Sequence, residues 1–384
     1  MSSPTPDESP AVPPGPWARP EVESLTAYSA PLEGRRGLLR LDFNENTIGP
    51  SPRVVAAIRA IPADHYAIYP EYDGLREAVV ASLGGRGLTP AHIGLFNGVD
   101  GAIHAIFHAF GAPGERLLTT SPTFGYYTPC ARMQGMAIEA IPYRLPDFDF
   151  PFEEIRSALG PAGSAAAPRI LLLCNPNNPT GTRLAPQRIL ELAAAAPATL
   201  VVVDELYEAF TGESVLPLLL AAGANGDPFA AVPNLLVLRS LAKTAGLAGL
   251  RIGFAIGAPA LVERVGRVCG PYDINSFAVT AAQAALADQA YVDAYVAEVL
   301  RARDWLLKQL RQAGVRHHAA GGNYLLLWPR RPAAEVEADL RQAGILVRSM
   351  AGKPLIDGSL RVSLGSSEQM GQFWQAYRRI DGLN

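Results

Sequence analysis

Six short, nearly continuous apolar runs, separated by helical patterns, constrain the fold of this chain more than any other feature. They are HIGLF (His92 to Phe96), RLLTT (Arg116 to Thr120), RILLLCN (Arg169 to Asn175), TLVVVDE (Thr199 to Glu205), NLLVLRS (Asn234 to Ser240) and RIGFAIG (Arg251 to Gly257). Each is short and mostly branched. Runs of this kind read as strands covered on both faces. Helical patterns such as GVDGAIHAIFHAF and PQRILELAAAA lie between them and supply crossovers. The prediction is an α/β domain with a mostly parallel sheet.

After about Pro271 the pattern changes. A long amphipathic helix is predicted from roughly Tyr291 to Ala313. A strand (Asn323 to Trp328), a helix (Ala333 to Ala343), strands near Ile345 and at Leu360 to Leu364, and a last helix follow. That order is α+β and suggests a smaller second domain. Residues 1–20 hold seven prolines and no apolar periodicity, and are expected to be a disordered tail. The expected division is therefore the tail 1–20, an N-terminal segment 21–50, a large domain 51–270 and a small domain 271–384.

A net charge of −3 argues against electrostatically driven nucleic-acid binding. Cys130, Cys174 and Cys269 are odd in number and far apart, so a disulfide framework or zinc site is not expected. They fit buried thiols in a reducing cytosol. No apolar run suits a membrane span, and no basic start precedes an apolar stretch as in a signal peptide. The expected location is the cytoplasm. His104 and His108 share a helix face, but no third ligand accompanies them, and no metal is expected.

Sites in open α/β sheets lie at the carboxyl ends of strands. RILLLC is followed by Asn175-Pro176-Asn177-Asn178-Pro179-Thr180-Gly181, TLVVV by Asp204 and then Tyr207, and NLLVLRS by Leu241-Ala242-Lys243. Arg251 opens the next run. An amide, a carboxylate, a phenol, an amine and a guanidinium thus converge on one rim. Pyridoxal phosphate needs this set: a lysine for its Schiff base, a carboxylate at its ring nitrogen, and donors to its phenolate oxygen. Its phosphate needs a helix N-terminus and an arginine. Gly98-Val99-Asp100-Gly101 follows a strand and opens a helix, and Phe124 could cover the ring. Only three lysines are present, Lys243, Lys308 and Lys353. Lys308 reads as a solvated helix-face residue and Lys353 as a surface residue in a Gly/Pro loop, so elimination favours Lys243. Locally, Asp204 could equally be a helix cap and Arg361 a surface residue; only the neighbouring motifs argue otherwise.

The segments LDFNEN, YPEYDGLREA, NGVDGA, SPTFGYY, NPNNPTG, VVVDELYEAF, SLAKTAGLAGLRIGF, PYDINSFA, GNYLL, GILVR and LRVSLGS occur in this order over about Asp42 to Ser366, the first being Leu41 to Asn46. Through them the chain resembles the fold-type I pyridoxal-phosphate aminotransferases, within them the histidinol-phosphate aminotransferase group. The resemblance implies a large α/β domain, a smaller α+β domain, a homodimer, and an N-terminal segment 21–50 that packs with the small domain. It implies that Lys243 bonds to the cofactor and moves the substrate proton, and that Asp204 pairs with the pyridinium. Tyr207 and Asn178 would hold the phenolate oxygen, and Phe124 would stack on the ring. Arg251, Ser240, Val99 and Asp100 would bind the phosphate. Tyr69 resembles the tyrosine that reaches the cofactor phosphate of the other subunit. Arg361 matches the arginine gripping the substrate's anionic end, with Arg348 a second candidate. Tyr28 and Asn44 would lie in the segment that closes over the substrate. Three positions depart from the family's usual pattern: Ala242 stands where serine is common, Gly101 where an acidic residue is, and Thr47, in NENTIGP, where proline usually follows NEN.

The expected reaction is transamination from histidinol phosphate to 2-oxoglutarate. A 2-amino-acid donor, aromatic or otherwise, is the alternative. A phospho-amino-acid decarboxylase on the same scaffold comes third. A non-catalytic regulator would need an appended nucleic-acid-binding module, and a nicotinamide dehydrogenase a GxGxxG after an early strand; neither is found.

Overall fold

The computed structural model describes residues 15–26, 33–161, 166–223 and 226–383. Helix α1 (Pro20–Glu23), strand β1 (Leu39–Arg40) and helices α2 (Pro52–Arg59) and α3 (Leu75–Ser82) come first. Next are β2 (Ile93–Asn97), α4 (Gly98–Phe110), β3 (Arg116–Ser121), α5 (Tyr127–Met133), β4 (Ala137–Pro142) and α6 (Phe152–Leu159). The series continues with β5 (Ile170–Cys174), α7 (Pro186–Ala195), β6 (Leu200–Asp204), α8 (Leu216–Ala222), β7 (Leu235–Ser240) and β8 (Ile252–Gly257). Helices α9 (Pro259–Gly266), α10 (Ser276–Leu286) and α11 (Gln289–Gln312) lead to the C-terminal part. That part holds β9 (Arg316–His318), β10 (Tyr324–Trp328), α12 (Ala333–Gln342), β11 (Ile345–Leu346), β12 (Arg348–Ser349), β13 (Leu360–Ser363) and α13 (Ser367–Ile380).

Seven strands form the main sheet in the order β2-β8-β7-β6-β5-β3-β4. The pairs β3–β4, β3–β5, β5–β6 and β6–β7 are parallel, while β8 runs antiparallel to both neighbours. Strands β5 and β6 are buried at every position, which explains their unbroken apolar sequences. The sequence reading missed β4. AIEAIP lies at the sheet edge and is half-exposed or exposed throughout, so it shows no apolar run.

The four-stranded C-terminal sheet, β12-β13-β10-β9, packs with α11, α12 and α13 around a second core that includes Val299, Leu306, Leu327, Val362 and Phe373. Strand β1 pairs in parallel with β11, and Leu41 is buried in this second core. Residues just before the motif Asp42–Asn46 are thereby tied to the C-terminal part. The expected boundary at 271 does not match the packing. Ala278, Ala281, Ala282 and Ala285 of α10, and even Val292 of α11, belong to the first core, whereas Tyr295 belongs to the second. Alanine at helical spacing fits either core, so the sequence gives no sign of which one it joins. Of the expected tail, residues 1–14 lie outside the described residues, while residues 15–19 lead directly into α1, which Pro20 begins.

A third, small cluster joins the two parts. Tyr143 and Phe148 follow β4, and they pack with Leu326, Met350 and Ile356.

Candidate active site

Strand order decides what meets at the rim. In the β5–β6 ladder Cys174 lies beside Asp204, and in the β6–β7 ladder Asp204 lies beside Leu238. The loops leaving β3, β5, β6 and β7 therefore open on one crevice, as expected at the carboxyl edge of a parallel sheet. A cavity of about 120 Å³ there is lined by Gly98, Val99, Asp100, Phe124, Asn178, Asp204, Tyr207, Ser240, Lys243 and Arg251. Tyr69 is the one expected cofactor residue absent from it. Tyr69 is 72% exposed and stacks on Tyr272 with ring centroids 4.1 Å apart.

Asp204 is 3% exposed. Its Oδ2 accepts a 2.7 Å hydrogen bond from the Tyr127 hydroxyl and its Oδ1 one of 3.2 Å from the Leu206 N–H. Burial pushes the carboxyl up to about 6, and these two donors work against that rise. Above pH 6 it remains an anion facing the cavity. The sequence reading missed Tyr127. The available signal was a second tyrosine, in SPTFGYY, just beyond a strand end; its contact with a residue 77 positions away was not visible.

The Tyr207 oxygen accepts from Asn44 Nδ2 at 3.1 Å and Asn178 Nδ2 at 3.3 Å. Burial holds this phenol well above its ordinary range, so it keeps its proton. With both acceptor positions used, the proton is left for an acceptor inside the cavity. The amide orientation of Asn178 follows from its other end, where Oδ1 accepts 2.8 Å from Arg361 Nη1. Asn44 is similarly fixed. Its N–H donates to Ser363 Oγ, whose hydroxyl donates to Asn44 Oδ1.

Lys243 Nζ is half-buried and donates to the Phe43 carbonyl at 2.9 Å. Burial, then the nearby Arg361 charge, push the amine down to about 8. A substantial neutral fraction exists near that pH, as a nucleophilic amine requires.

The end of the cavity expected to take a phosphate is built from backbone. Gly98 has φ +72° and begins the 13-residue helix α4, whose N-terminus faces the cavity. A side chain at Gly98 would meet Arg251 Nη2 at 2.5 Å, and one at Gly253 would meet Val99 N at 2.6 Å. Only glycine allows β8 and this turn to approach so closely. Arg251 Nη2 pairs with Asp100 Oδ2 at 3.0 Å. Ser240 Oγ donates to the Ile252 carbonyl and accepts from the Ala242 N–H, which fixes the Ser240–Lys243 turn.

These residues fit pyridoxal phosphate. A buried anion stands at one end, an amine and a proton-bearing phenol line the same cavity, and a glycine cradle and a guanidinium stand at the other end. Phe124, packed edge-on against Tyr127, lines the cavity as a ring cover would. Among the described residues, no group of three or more His, Cys, Asp or Glu could hold a metal ion. All three cysteines are free; Cys130 and Cys174 are buried and Cys269 is half-buried.

A second cavity of about 220 Å³ shares Phe124, Asn178, Tyr207 and Lys243 with the first, so the two are continuous. Its outer wall comes from the C-terminal part and the N-terminal segment: Phe43, Asn44, Arg348, Lys353 and Arg361. Arg361 is 9% exposed and donates to the Asp42 carbonyl as well as to Asn178. Arg348 is its direct partner across the β12–β13 pair and lies over the Phe43 ring. Asp42 and Glu45 are both paired with Arg35, so the acidic groups of LDFNEN do not neutralise this wall. The sequence reading did not single out Arg35. Lys353 was expected at the surface. It is exposed, but it also lines this cavity. Tyr28 lies outside the described residues.

A cavity of about 300 Å³ beside β6 and β7 contains charged groups, but Arg239 already pairs there with Glu205 and Glu208. Among the described residues it offers an anion no open cation. Among the described residues no helix is long and apolar enough to cross a membrane.

Comparison with known proteins gives the family and the fold. The model of the family described as "Aminotransferase class I and II" matches residues 36–376. Histidinol-phosphate aminotransferase 1 of Bradyrhizobium diazoefficiens is 34% identical over 372 residues, covering 95% of this chain and 99% of that protein. The histidinol-phosphate aminotransferase of Roseiflexus castenholzii is 35% identical, covering 91% of this chain and 94% of that protein. Among solved structures, histidinol-phosphate aminotransferase from Sinorhizobium meliloti, in complex with pyridoxal-5'-phosphate, superposes with a TM-score of 0.82 at 24% identity, covering 95% of this chain and 97% of that one. A double mutant of Thermus thermophilus aspartate aminotransferase gives a TM-score of 0.76 at 25% identity, covering 95% of this chain and 100% of that one.

Proposed function

This chain belongs to the aminotransferase class I and II family, and from that premise we propose that it moves the amino group of histidinol phosphate to 2-oxoglutarate. It is a pyridoxal-phosphate-dependent transaminase. The products would be imidazole-acetol phosphate and glutamate, a step of histidine biosynthesis. The observation that carries the donor reading is the outer cavity. Arg348 and Arg361 share one face of a strand pair, and among the described residues no carboxylate lines the space beside them. Like charges placed directly opposite are unfavourable unless an anion compensates them. An anionic substrate end supplies that compensation within reach of Lys243. The donor phosphate and the acceptor carboxylate would use the same wall in turn.

When bound, the cofactor acts as the electron sink for the carbon bearing the substrate amine. The chain's residues do the rest. Asp204, an anion above pH 6, would hold the pyridinium proton in place, and Tyr127 would keep the carboxylate ionised and aimed. Tyr207 would donate its one free proton to the phenolate oxygen, with Asn178 beside it. Gly98, Val99, Asp100, Ser240 and Arg251 would hold the phosphate. Lys243 Nζ would anchor the cofactor and, once freed by the incoming amine, take and return the proton at the substrate carbon. Phe43, Phe124 and Asn44 would exclude water from that carbon. Ala242 has no hydroxyl to add to the phosphate site, while Ser240, two residues earlier, lines the cavity.

We also propose that the enzyme is a cytoplasmic homodimer. The exposed, stacked Tyr69–Tyr272 pair lies outside its own chain's site. This supports the reading that Tyr69 serves the cofactor phosphate of a second copy.

A half-reaction tests the donor. The cofactor-loaded enzyme is mixed with histidinol phosphate, or separately with phenylalanine and other amino acids, and conversion to the pyridoxamine form is followed by absorbance. Rapid conversion by histidinol phosphate alone is expected. Conversion by amino acids but not by histidinol phosphate would overturn the donor reading and assign Arg361 to a carboxylate.

A further inference from the structure

We propose that Lys353 is a specificity-determining residue, a third cation of the outer cavity that favours a dianionic phosphate ester over a monocarboxylate. The inference deepens the donor reading above and rests on it for the identity of the ester.

Lys353 lies in the loop from β12 to β13, and that loop is held at both ends. The Met350 N–H donates to the Ser359 carbonyl at 2.9 Å, and the Lys353 N–H donates to the Met350 carbonyl at 3.0 Å. Asp357 Oδ1 accepts from the Gly352 and Gly358 N–H groups at 2.8 and 2.9 Å, and Trp328 Nε1 donates to the Asp357 carbonyl. Met350 and Ile356 flank Lys353 and are buried against Tyr143 and Phe148 of the large domain. The same cluster therefore seats the small-domain loop on the large domain and sets where Lys353 stands. Its side chain reaches the cavity from an exposed position and, among the described residues, forms no ion pair.

Charge then decides between ligands. A monocarboxylate has one charge and two oxygens, which a single buried guanidinium such as Arg361 can satisfy. A phosphate ester carries about −1.5 to −2 charges and three acceptor oxygens near neutral pH. It needs further cations, and Arg348 and Lys353 line the same cavity, which has no acidic residue among its described walls. A lysine ammonium is a point charge on a flexible stem, suited to a phosphate whose position is set by the arginines. Because Lys353 is solvent-exposed, its contribution is small and screened by salt.

The test uses the cofactor-loaded enzyme and its Lys353→Gln and Lys353→Arg variants. Inorganic phosphate affinity is measured by titration against the cofactor absorbance, and KM and kcat are measured for histidinol phosphate and for phenylalanine. Lys353→Gln should weaken phosphate binding and raise KM for histidinol phosphate about fivefold at low salt, with kcat within about twofold. KM for phenylalanine should move less than about twofold, and Lys353→Arg should restore phosphate binding. Equal losses for phosphate and phenylalanine, or unchanged phosphate affinity in Lys353→Gln, would overturn the proposal. If the unaltered enzyme ignores histidinol phosphate while Lys353→Gln still loses phosphate affinity, the donor reading fails and the role of Lys353 stands.

Discussion

On the sheet side of the cavity, polar groups are committed to one another. Asp204 is held by Tyr127 and Leu206, and Asn178 links Tyr207 to Arg361. On the outer side, Arg348 rests on the Phe43 ring and Lys353 extends from an exposed loop; among the described residues neither forms an ion pair. The first arrangement suits a resident group whose electronics must not vary, because a buried and satisfied network allows one geometry. The second suits ligands that come and go, and two chemically different substrates can share it. Arg361 belongs to both sides, since its guanidinium lines the outer cavity while orienting an amide of the inner one.

The largest expected effect lies at the centre of the rigid side. Lys243→Ala removes the one amine placed in both cavities, and turnover should fall by about 10⁴-fold or more in steady-state assays. Appreciable turnover by this variant would show that the chemistry does not depend on the sheet-side network. An intermediate effect is expected where the two sides meet. Arg361→Gln removes a charged hydrogen-bond donor from Asn178 and, on the proposed donor reading, from the substrate anion as well. At about 1.5–3 kcal/mol for a charged hydrogen bond, kcat/KM should fall roughly 10²-fold. A rise in KM alone would confine Arg361 to the outer side, so this variant sharpens the comparison most directly.

A smaller effect concerns Tyr127→Phe, which deletes one donor to Asp204 and keeps the ring. Without that hydrogen bond the carboxyl rises further above about 6, and its charge is lost at a higher pH on acidification. Cofactor affinity, measured by equilibrium dialysis from pH 5 to 8, should weaken about tenfold near pH 6 and recover toward pH 8. An unshifted acid limb would mean that Tyr127 packs beside Asp204 without tuning it.

Much of the sheet side was legible in the sequence because each member closes a strand or begins the segment after it. Strands β5 and β6 are apolar up to their last residues, so Asp204 after VVV and Asn178 in NPNNPTG mark where the apolar run gives way to the rim, as Lys243 does soon after Ser240. The outer side was less legible. Arg348 and Arg361 came only from resemblance, and Lys353 in AGKPLIDG has the composition of an ordinary surface turn. Strand β4 and the membership of α10 were missed for a related reason: edge exposure and alanine packing leave weak periodicity.

By itself the sequence determined the α/β core and the chemical inventory of the rim and, by scarcity of lysine, favoured Lys243 as the amine. Those follow from local pattern and composition, which fix what an element is and what ends it. Only the tertiary structure decided that Tyr127 meets Asp204, that the Phe43 carbonyl holds Lys243, that Arg361 orients Asn178, and that Lys353 faces the cavity. Three of these contacts join residues 77, 200 and 183 positions apart. Strand order, pairing register and the seating of one part on the other set such contacts, and no local segment carries that information.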